Sequence, residues 1–278
     1  MFVESKKVLF ISQEIMPYLP ESRISNICRY LPQRLQESGY EIRTFMPRFG
    51  CINERRNQLH EVIRLSGMNL ILNDSDHPLI IKVASIQSAR MQVYFIDNED
   101  YFYRKNTFYD ENGELFEDND ERLTFFGRGV IETIRKLRWS PDIIHCHGWF
   151  SSLIPIFIKT LYDDDPLFVN SKIIFSIYND EFKGELNKDL KDKLIVDGVP
   201  EKKIAGIAKP NYFNLLKLAV DNSEGIVIAD NIQPKLLEYI QKSEKPVLQH
   251  QDIENYAETY TNFYDSILIE SVTEEAIK

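Results

Sequence analysis

Short apolar runs that break off into polar loops, separated by helix-length stretches with apolar residues three and four apart, predict an α/β fold built on a doubly wound, mostly parallel sheet. Three segments carry that reading. KVLFIS (Lys7 to Ser12) enters the loop QEIMPYLPES, Asp142 to Cys146 enters HGWF, and KIIFSI (Lys172 to Ile177) enters YNDEF. Each run is apolar on successive residues, the signature of a strand covered on both faces.

The remaining elements follow in order. Ile27, Tyr30, Leu31 and Leu35 stand at helical spacing within Ser25 to Ser38, and Gly39 offers a C-cap. YEIRTFMP reads as the second strand. The middle of the chain, VIRLSG and PLIIKVASIQSARMQVYFIDN, clusters β-branched and aromatic residues as strands, some of them in antiparallel hairpins. Asn106 to Glu121 is an acidic, solvated loop, and ERLTFFGRGVIETIRKLRW is a helix stopped by Ser140-Pro141. SSLIPIFIKTLY forms a helix from Ser151 or Ser152. Beyond YNDEF come a charged helical segment, a helix over Asn214 to Asn222, the strand GIVIAD and a helix from Ile232 to Ser243. After SEKPVLQHQD, one amphipathic helix presents Tyr256, Tyr260, Phe263, Tyr264 and Ile267 on its packing face. The chain therefore divides into a domain over 1–243, a linker over 244–252 and a helix over 253–270 that packs back on the domain.

Composition narrows the function classes. The 278 residues suffice for a large buried core, and 43% hydrophobic with 27% charged residues is ordinary for a globular protein. A net charge of −10 without a basic stripe argues against nucleic acid and anionic membrane as partners. Cys28, Cys51 and Cys146 are widely spaced, which suits a reducing compartment. No stretch is long and apolar enough for a signal peptide or a membrane span, so a cytoplasmic location is expected.

Ligands of an open parallel sheet sit beyond the strand C-termini, which directs attention to Gln13 to Arg23, His145 to Phe150 and Ser176 to Glu181. His145, Cys146 and His147 carry ligating atoms, but neighbours on a strand face opposite ways and no second Cys/His cluster completes a tetrahedron, so no metal is expected. Cys146 lies within an apolar run, and a structural thiol is expected there. A Rossmann-like dinucleotide site needs a glycine-rich turn after its first strand. Pro20-Glu21-Ser22-Arg23 has no glycine and carries a carboxylate, so no NAD or FAD cofactor is expected.

These segments resemble the bacterial glycogen/starch synthases, two-domain GT-B glucosyltransferases. Ser12, Glu14 and Pro17 match the family's S-x-E-x-x-P; Leu31, Pro32 and Leu35 match L-P-x-x-L; and GYEIRTFMPRFG resembles G-H-E-V-R-x-x-x-P-x-Y-G. His145 to Phe150 corresponds to H-x-H-D-W-H, Ser176 to Asn179 to T-x-H-N, and Phe213 to Val220 echoes the N-x-x-K-x-x-I helix. The final helix, with Tyr256, Ala257, Tyr260 and Tyr264, resembles the family's W-x-x-x-A-x-x-Y-x-x-x-Y helix that crosses back onto the N-terminal domain. The resemblance implies the N-terminal Rossmann-like half of a GT-B fold with a crossing-back helix, and a linker where the family has its sugar-nucleotide-binding domain.

The departures fall on the family's chemistry. Pro20 stands for the lysine of K-T-G-G-L that contacts the donor sugar nucleotide, and Ser22 and Arg23 stand for its glycines. Asn26 replaces its aspartate, Gly148 the aspartate before the tryptophan, Phe150 the histidine beside the transferred glucose and Tyr178 the T-x-H-N histidine. Losing an imidazole or ammonium removes charge-assisted hydrogen bonds that packing does not restore. The expectation is a degenerate, non-catalytic domain that recognises an α-glucan, another carbohydrate or a protein, with no catalytic residue. Glu14, Arg23, His145, His147 and Asn179 are the candidate binding residues, Arg23 as a new anion contact. Tyr101, Phe102, Tyr103, Phe108 and Tyr109 either stack on sugar rings or pack their loop onto the body. A partner protein or a second copy is expected on the face the resemblance assigns to the second domain. The alternative is an ADP-glucose-dependent α-1,4-glucan synthase completed by a partner chain.

Overall fold

The computed structural model describes residues 5–252 and 256–275. Its first strand, β1 (Lys7–Ser12), is buried from Val8 onward, as its apolar run requires. Helix α1 (Arg23–Glu37) starts two residues earlier than its apolar spacing suggests, because Ser22 and Ser25 form a reciprocal capping box. Its buried face includes Ile24, Ile27, Cys28, Leu31 and Leu35. Strand β2 (Glu41–Pro47) follows, then a short α2 (Glu54–Asn57), β3 (His60–Glu61), β4 (Met68–Leu72), β5 (Ser75–Ile86), β6 (Met91–Asp97) and α3 (Glu99–Phe102).

Helix α4 (Asn119–Leu137) is long and almost wholly buried along one side. Gly129 lets it lie close: a Cβ there would sit 2.9 Å from Ile96 Cγ2 on the sheet. Strand β7 (Ile143–His147) leads through a 3-10 turn (Trp149–Ser151) into α5 (Ile154–Ile158), shorter than the helix expected from SSLIPIFIKTLY. Then come β8 (Lys172–Ile177), α6 (Leu190–Val196), α7 (Glu201–Ile204), α8 (Tyr212–Asp221), β9 (Gly225–Ile228) and α9 (Pro234–Lys242). Residues 244–252, expected as a bare linker, contain β10 (Val247–Gln249), which pairs in parallel with β9. The last helix, α10, runs Tyr256–Glu275; the expected start at 253 lies outside the described residues.

The strand order is β10-β9-β8-β7-β1-β2-β6-β5-β3, with β4 paired to β5 off that path. Pairing is parallel from β10 to β6. It becomes antiparallel where β5 joins β6, β3 and β4; β4–β5 and β5–β6 are hairpins of the kind expected in the middle of the chain, whereas VIRLSG, expected as a strand, is a turn between β3 and β4. This is the mostly parallel, Rossmann-like sheet of one GT-B half. Tyr260, Tyr264 and Ile267 bury the inner face of α10, while Tyr256 and Phe263 are half-buried. Lys6 pairs with Asp265 at 2.6 Å and the Arg34 guanidinium lies 4.8 Å from the Tyr256 ring centre, so α10 is fastened to β1 and α1. Burying each large apolar side chain contributes about 1.5–3 kcal/mol, which exceeds what either exposed ionic contact supplies.

Candidate functional site

The sheet order reverses at β1. The chain leaves β1 toward β2 on one side and leaves β7 toward β8 on the other, so the loops after β1 and β7 diverge and open a crevice. Register aligns the three strand ends, with Ser12 opposite His147 and His147 opposite Ser176.

His145 and His147 share one face of β7, as residues two apart on a strand must, with ring centres 3.9 Å apart. Neither has exposed surface. His145 Nδ1 is 2.7 Å from the Tyr264 hydroxyl and its Nε2 is 2.7 Å from Ser176 Oγ. His147 Nδ1 is 2.8 Å from the hydroxyl of Tyr178, the residue that replaces the family's T-x-H-N histidine. His250, just past β10, joins the cluster through Tyr260 at 2.9 Å. Burial drives the His145 imidazole well below its ordinary range and holds His147 at about 3, with the neighbouring His250 adding to the effect. Burial lowers His250 as well, against the opposing pull of Asp252. These are neutral core histidines: α10 covers His145 and His250 through Tyr264 and Tyr260, while His147 is enclosed by Phe10, His145 and Tyr178.

The polar residues beyond the strand ends lie one step further along the same loops. Glu14 is half-buried and accepts a 2.5 Å hydrogen bond from Ser22 Oγ. Asn179 is exposed at the end of β8. Next to it, half-buried Asp180 takes hydrogen bonds from the Tyr212 hydroxyl at 2.7 Å and from Trp149 N–H at 3.1 Å. Gln13 Oε1 accepts from Phe150 N–H at 3.0 Å. Burial pushes the Asp180 carboxyl up to about 6, against the two hydrogen bonds and with help from the Glu14 charge. The Tyr109 hydroxyl is raised by burial and then by the Asp180 charge, so the two groups lie within electrostatic reach of each other. Asp180 was not among the sequence candidates; the signal that could have found it is its place directly after Asn179, in a loop already marked as ligand-facing.

Gly148 has φ +79° and ψ 164°, a region essentially closed to other residues. A Cβ there would stand 2.5 Å from Gln13 Oε1 and 3.0 Å from Asp180 Oδ2. Arg23, expected as an anion contact, donates through Nε to the Ala229 carbonyl and pairs with Asp252 at 2.9 Å. Its guanidinium is committed to tying α1 to the chain ends of β9 and β10. Phe150 is fully buried among Phe49, Phe108, Phe126 and Trp149 and presents no polar atom to the crevice.

The β1–α1 loop and the loop before α4 enclose an open cavity of about 500 Å³ walled by Tyr18, Pro20, Cys51, Lys105, Asn106, Tyr109 and Asp110. A larger groove, about 780 Å³, runs between α1 and α10 away from the strand ends. Of the five aromatics considered for stacking, Tyr101, Phe102 and Phe108 are buried, a correction of the stacking expectation for those three. They pack on Phe49, Phe125 and Trp149, because the acidic loop needs an apolar anchor. Tyr103 is 70% exposed and Tyr109 half-buried. Cys28 and Cys146 are buried, and burial lifts the Cys28 thiol to about 12 and Cys146 higher still, so neither is a nucleophile at neutral pH. Among the described residues, no group of three or more His, Cys, Asp or Glu side chains is arranged to hold a metal ion, and no helix is long and apolar enough to cross a membrane.

Comparison with known proteins agrees with this architecture. A family model described as starch synthase catalytic domain matches residues 7–244. The glycogen synthase of Chlorobium luteolum is 37% identical over 220 residues, covering 78% of this chain and 44% of that protein. That of Chlorobium limicola is 39% identical over 194 residues, covering 69% and 40%. The chain thus spans less than half the length of these relatives. The catalytic domain of starch synthase IV from Arabidopsis thaliana, solved bound to ADP and acarbose, superposes with a TM-score of 0.70 at 17% identity, over 88% of this chain and 52% of that one. The likeness establishes the shared fold, and the matched family model with these relatives establishes more: the chain belongs to the starch synthase catalytic domain family.

Proposed function

We propose that this domain recognises an α-glucan through the crevice at the ends of β1, β7 and β8, and does not itself carry out glucosyl transfer from a sugar nucleotide. The observation that carries the reading is the pair of carboxylates, Glu14 and Asp180, which sense one another at the strand ends, with exposed Asn179 next to Asp180 and half-buried Tyr109 within reach of its charge. Ionised carboxylates accept hydrogen bonds from sugar hydroxyls and repel phosphate, while tyrosine rings offer flat apolar faces to a pyranose. The positions where the family resemblance expects a donor-binding ammonium and an imidazole hold Pro20 and buried Phe150. Arg23 is occupied internally, and Lys105, on the cavity wall, is the cation nearest to hand among the cavity-lining residues. The glycogen synthase names of the curated relatives support a glucan as the ligand class.

Calorimetric titration of the purified protein with a soluble maltooligosaccharide and, separately, with ADP-glucose tests this directly. Saturable glucan binding without ADP-glucose binding is the expected result. Saturable ADP-glucose binding sinks the non-catalytic reading in favour of a glucan synthase completed by a partner chain. Silence toward both in folded protein transfers the role to protein recognition.

A further inference from the structure

We propose that Asp180 is the specificity-determining group of the crevice, a carboxylate that accepts hydrogen bonds from the hydroxyls of a neutral sugar and turns away anionic ligands. The inference rests on the glucan reading above and adds the residue that enforces it. Three observations converge on this side chain. Asp180 is rigidly presented, since the Tyr212 hydroxyl holds one carboxylate oxygen at 2.7 Å and Trp149 N–H holds the other at 3.1 Å. The single Tyr212 hydroxyl proton is shared between Asp180 and the Tyr178 carbonyl, which lies 3.0 Å away. Each carboxylate oxygen keeps a lone pair beyond the one engaged by its donor, so the group can still accept from a ligand.

The second observation is steric. Gly148 stands where the family resemblance places an aspartate, and its missing Cβ leaves the space into which Asp180 Oδ2 projects, 3.0 Å from the ideal Cβ position. A side chain at 148 and the Asp180 carboxylate compete for one volume. The chain thus carries its carboxylate on the loop after β8 rather than on the loop after β7.

The third is electrostatic. Among the described residues, the titratable groups that sense Asp180 include Glu14 from the β1–α1 loop, Tyr109 from the loop before α4, Tyr178 at the end of β8, and Tyr212 on α8, which also senses Glu181. None of these is a cation; Lys105 lines the adjoining cavity beside Tyr109. A negative Asp180 beside Glu14 therefore makes this part of the crevice repel phosphate and sulfate, and protonation of Asp180 removes both that repulsion and the best hydroxyl acceptor.

The test is a set of titrations with maltotetraose and with sulfate, an anion whose charge is constant across the range, at about pH 7.5 and about pH 5. The wild-type protein is expected to lose about fivefold or more in maltotetraose affinity between the two conditions, and to gain sulfate affinity over the same interval. Asp180→Asn is expected to bind maltotetraose weakly and sulfate more tightly, with both affinities flat in pH. Tyr212→Phe keeps the carboxylate but removes a hydrogen bond that favours its ionised form, so the wild-type pH profile should survive with its midpoint moved upward. A merely structural role would not produce that upward move. Wild-type affinities that ignore pH, or a folded Asp180→Asn protein whose two affinities and pH profile match the wild type, overturn the proposal. Should maltotetraose fail to bind at any pH, the glucan reading fails, and the sulfate arm still decides whether Asp180 excludes anions.

Discussion

The motif His145–Phe150 splits into two regions with opposite fates. Its histidines lie in the core, His145 against Tyr264 of α10 and His147 against Tyr178, where every solvent contact is gone and imidazoles are held neutral by burial. At the next residue the backbone turns at Gly148 and meets buried Gln13 and half-buried Asp180, where a carboxyl is tuned toward neutrality without being sealed off. One sequence motif thus serves as core on one side and as rim on the other. Residue type alone does not say which; the packing around each residue does.

Acid should separate the two regions most strongly. His145, His147 and His250 have folded-state values below the ordinary value of 6.5, so the unfolded chain binds the extra protons and stability falls as pH drops below about 6.5. The slope is up to about 1.4 kcal/mol per pH unit for each fully depressed histidine. Asp180 has the opposite sign: its folded value is raised, so the fold binds the proton first and gains stability as pH falls from about 6 toward 4. Urea unfolding measured from pH 7 to 5 should show the histidine loss dominating, and a flat profile would mean that the cluster is not buried as described.

Tyr264→Ala comes next, with an expected loss of about 3–5 kcal/mol from a buried cavity and an unpartnered His145 nitrogen, read as a lower urea midpoint. Gly148→Ala strains both a glycine-only backbone and the Gln13 and Asp180 contacts, for about 1–3 kcal/mol in the same assay. The smallest effect on the fold belongs to Tyr109→Ala. It should leave thermal unfolding nearly unchanged while weakening maltotetraose by about tenfold, equivalent to about 1.4 kcal/mol. Equal damage to stability and binding would erase the distinction between roofed core and open rim.

Much of this was legible from residues alone, for physical reasons. Apolar runs such as Val8 to Ile11 can be satisfied only between two helical layers, and the Tyr260, Tyr264 and Ile267 spacing can be satisfied only against a packed face. Strand β10 escaped notice because Val247–Gln249 is three residues long, partly polar and specified by its neighbour β9. Asp180 escaped because its partners Trp149 and Tyr212 lie 31 and 32 residues away, beyond any local pattern. His145 stands out in the sequence as a binding candidate, yet its environment depends on a helix more than a hundred residues downstream, with Tyr264 separated from it by 119 positions.

The strand order also has a consequence in time. Strands β5 and β6 pair across a short connection, Ile86 against Met91, so that hairpin closes at small entropic cost. The ladder of β1 with β7 joins Val8 to Ile143, and no early local contact rewards that closure. The crevice and the histidine cluster both depend on this late ladder. Pulse-labelled hydrogen exchange during refolding should therefore protect β5 and β6 amides before those of β1 and β7, making the ligand-facing end the last part of the molecule to come into being.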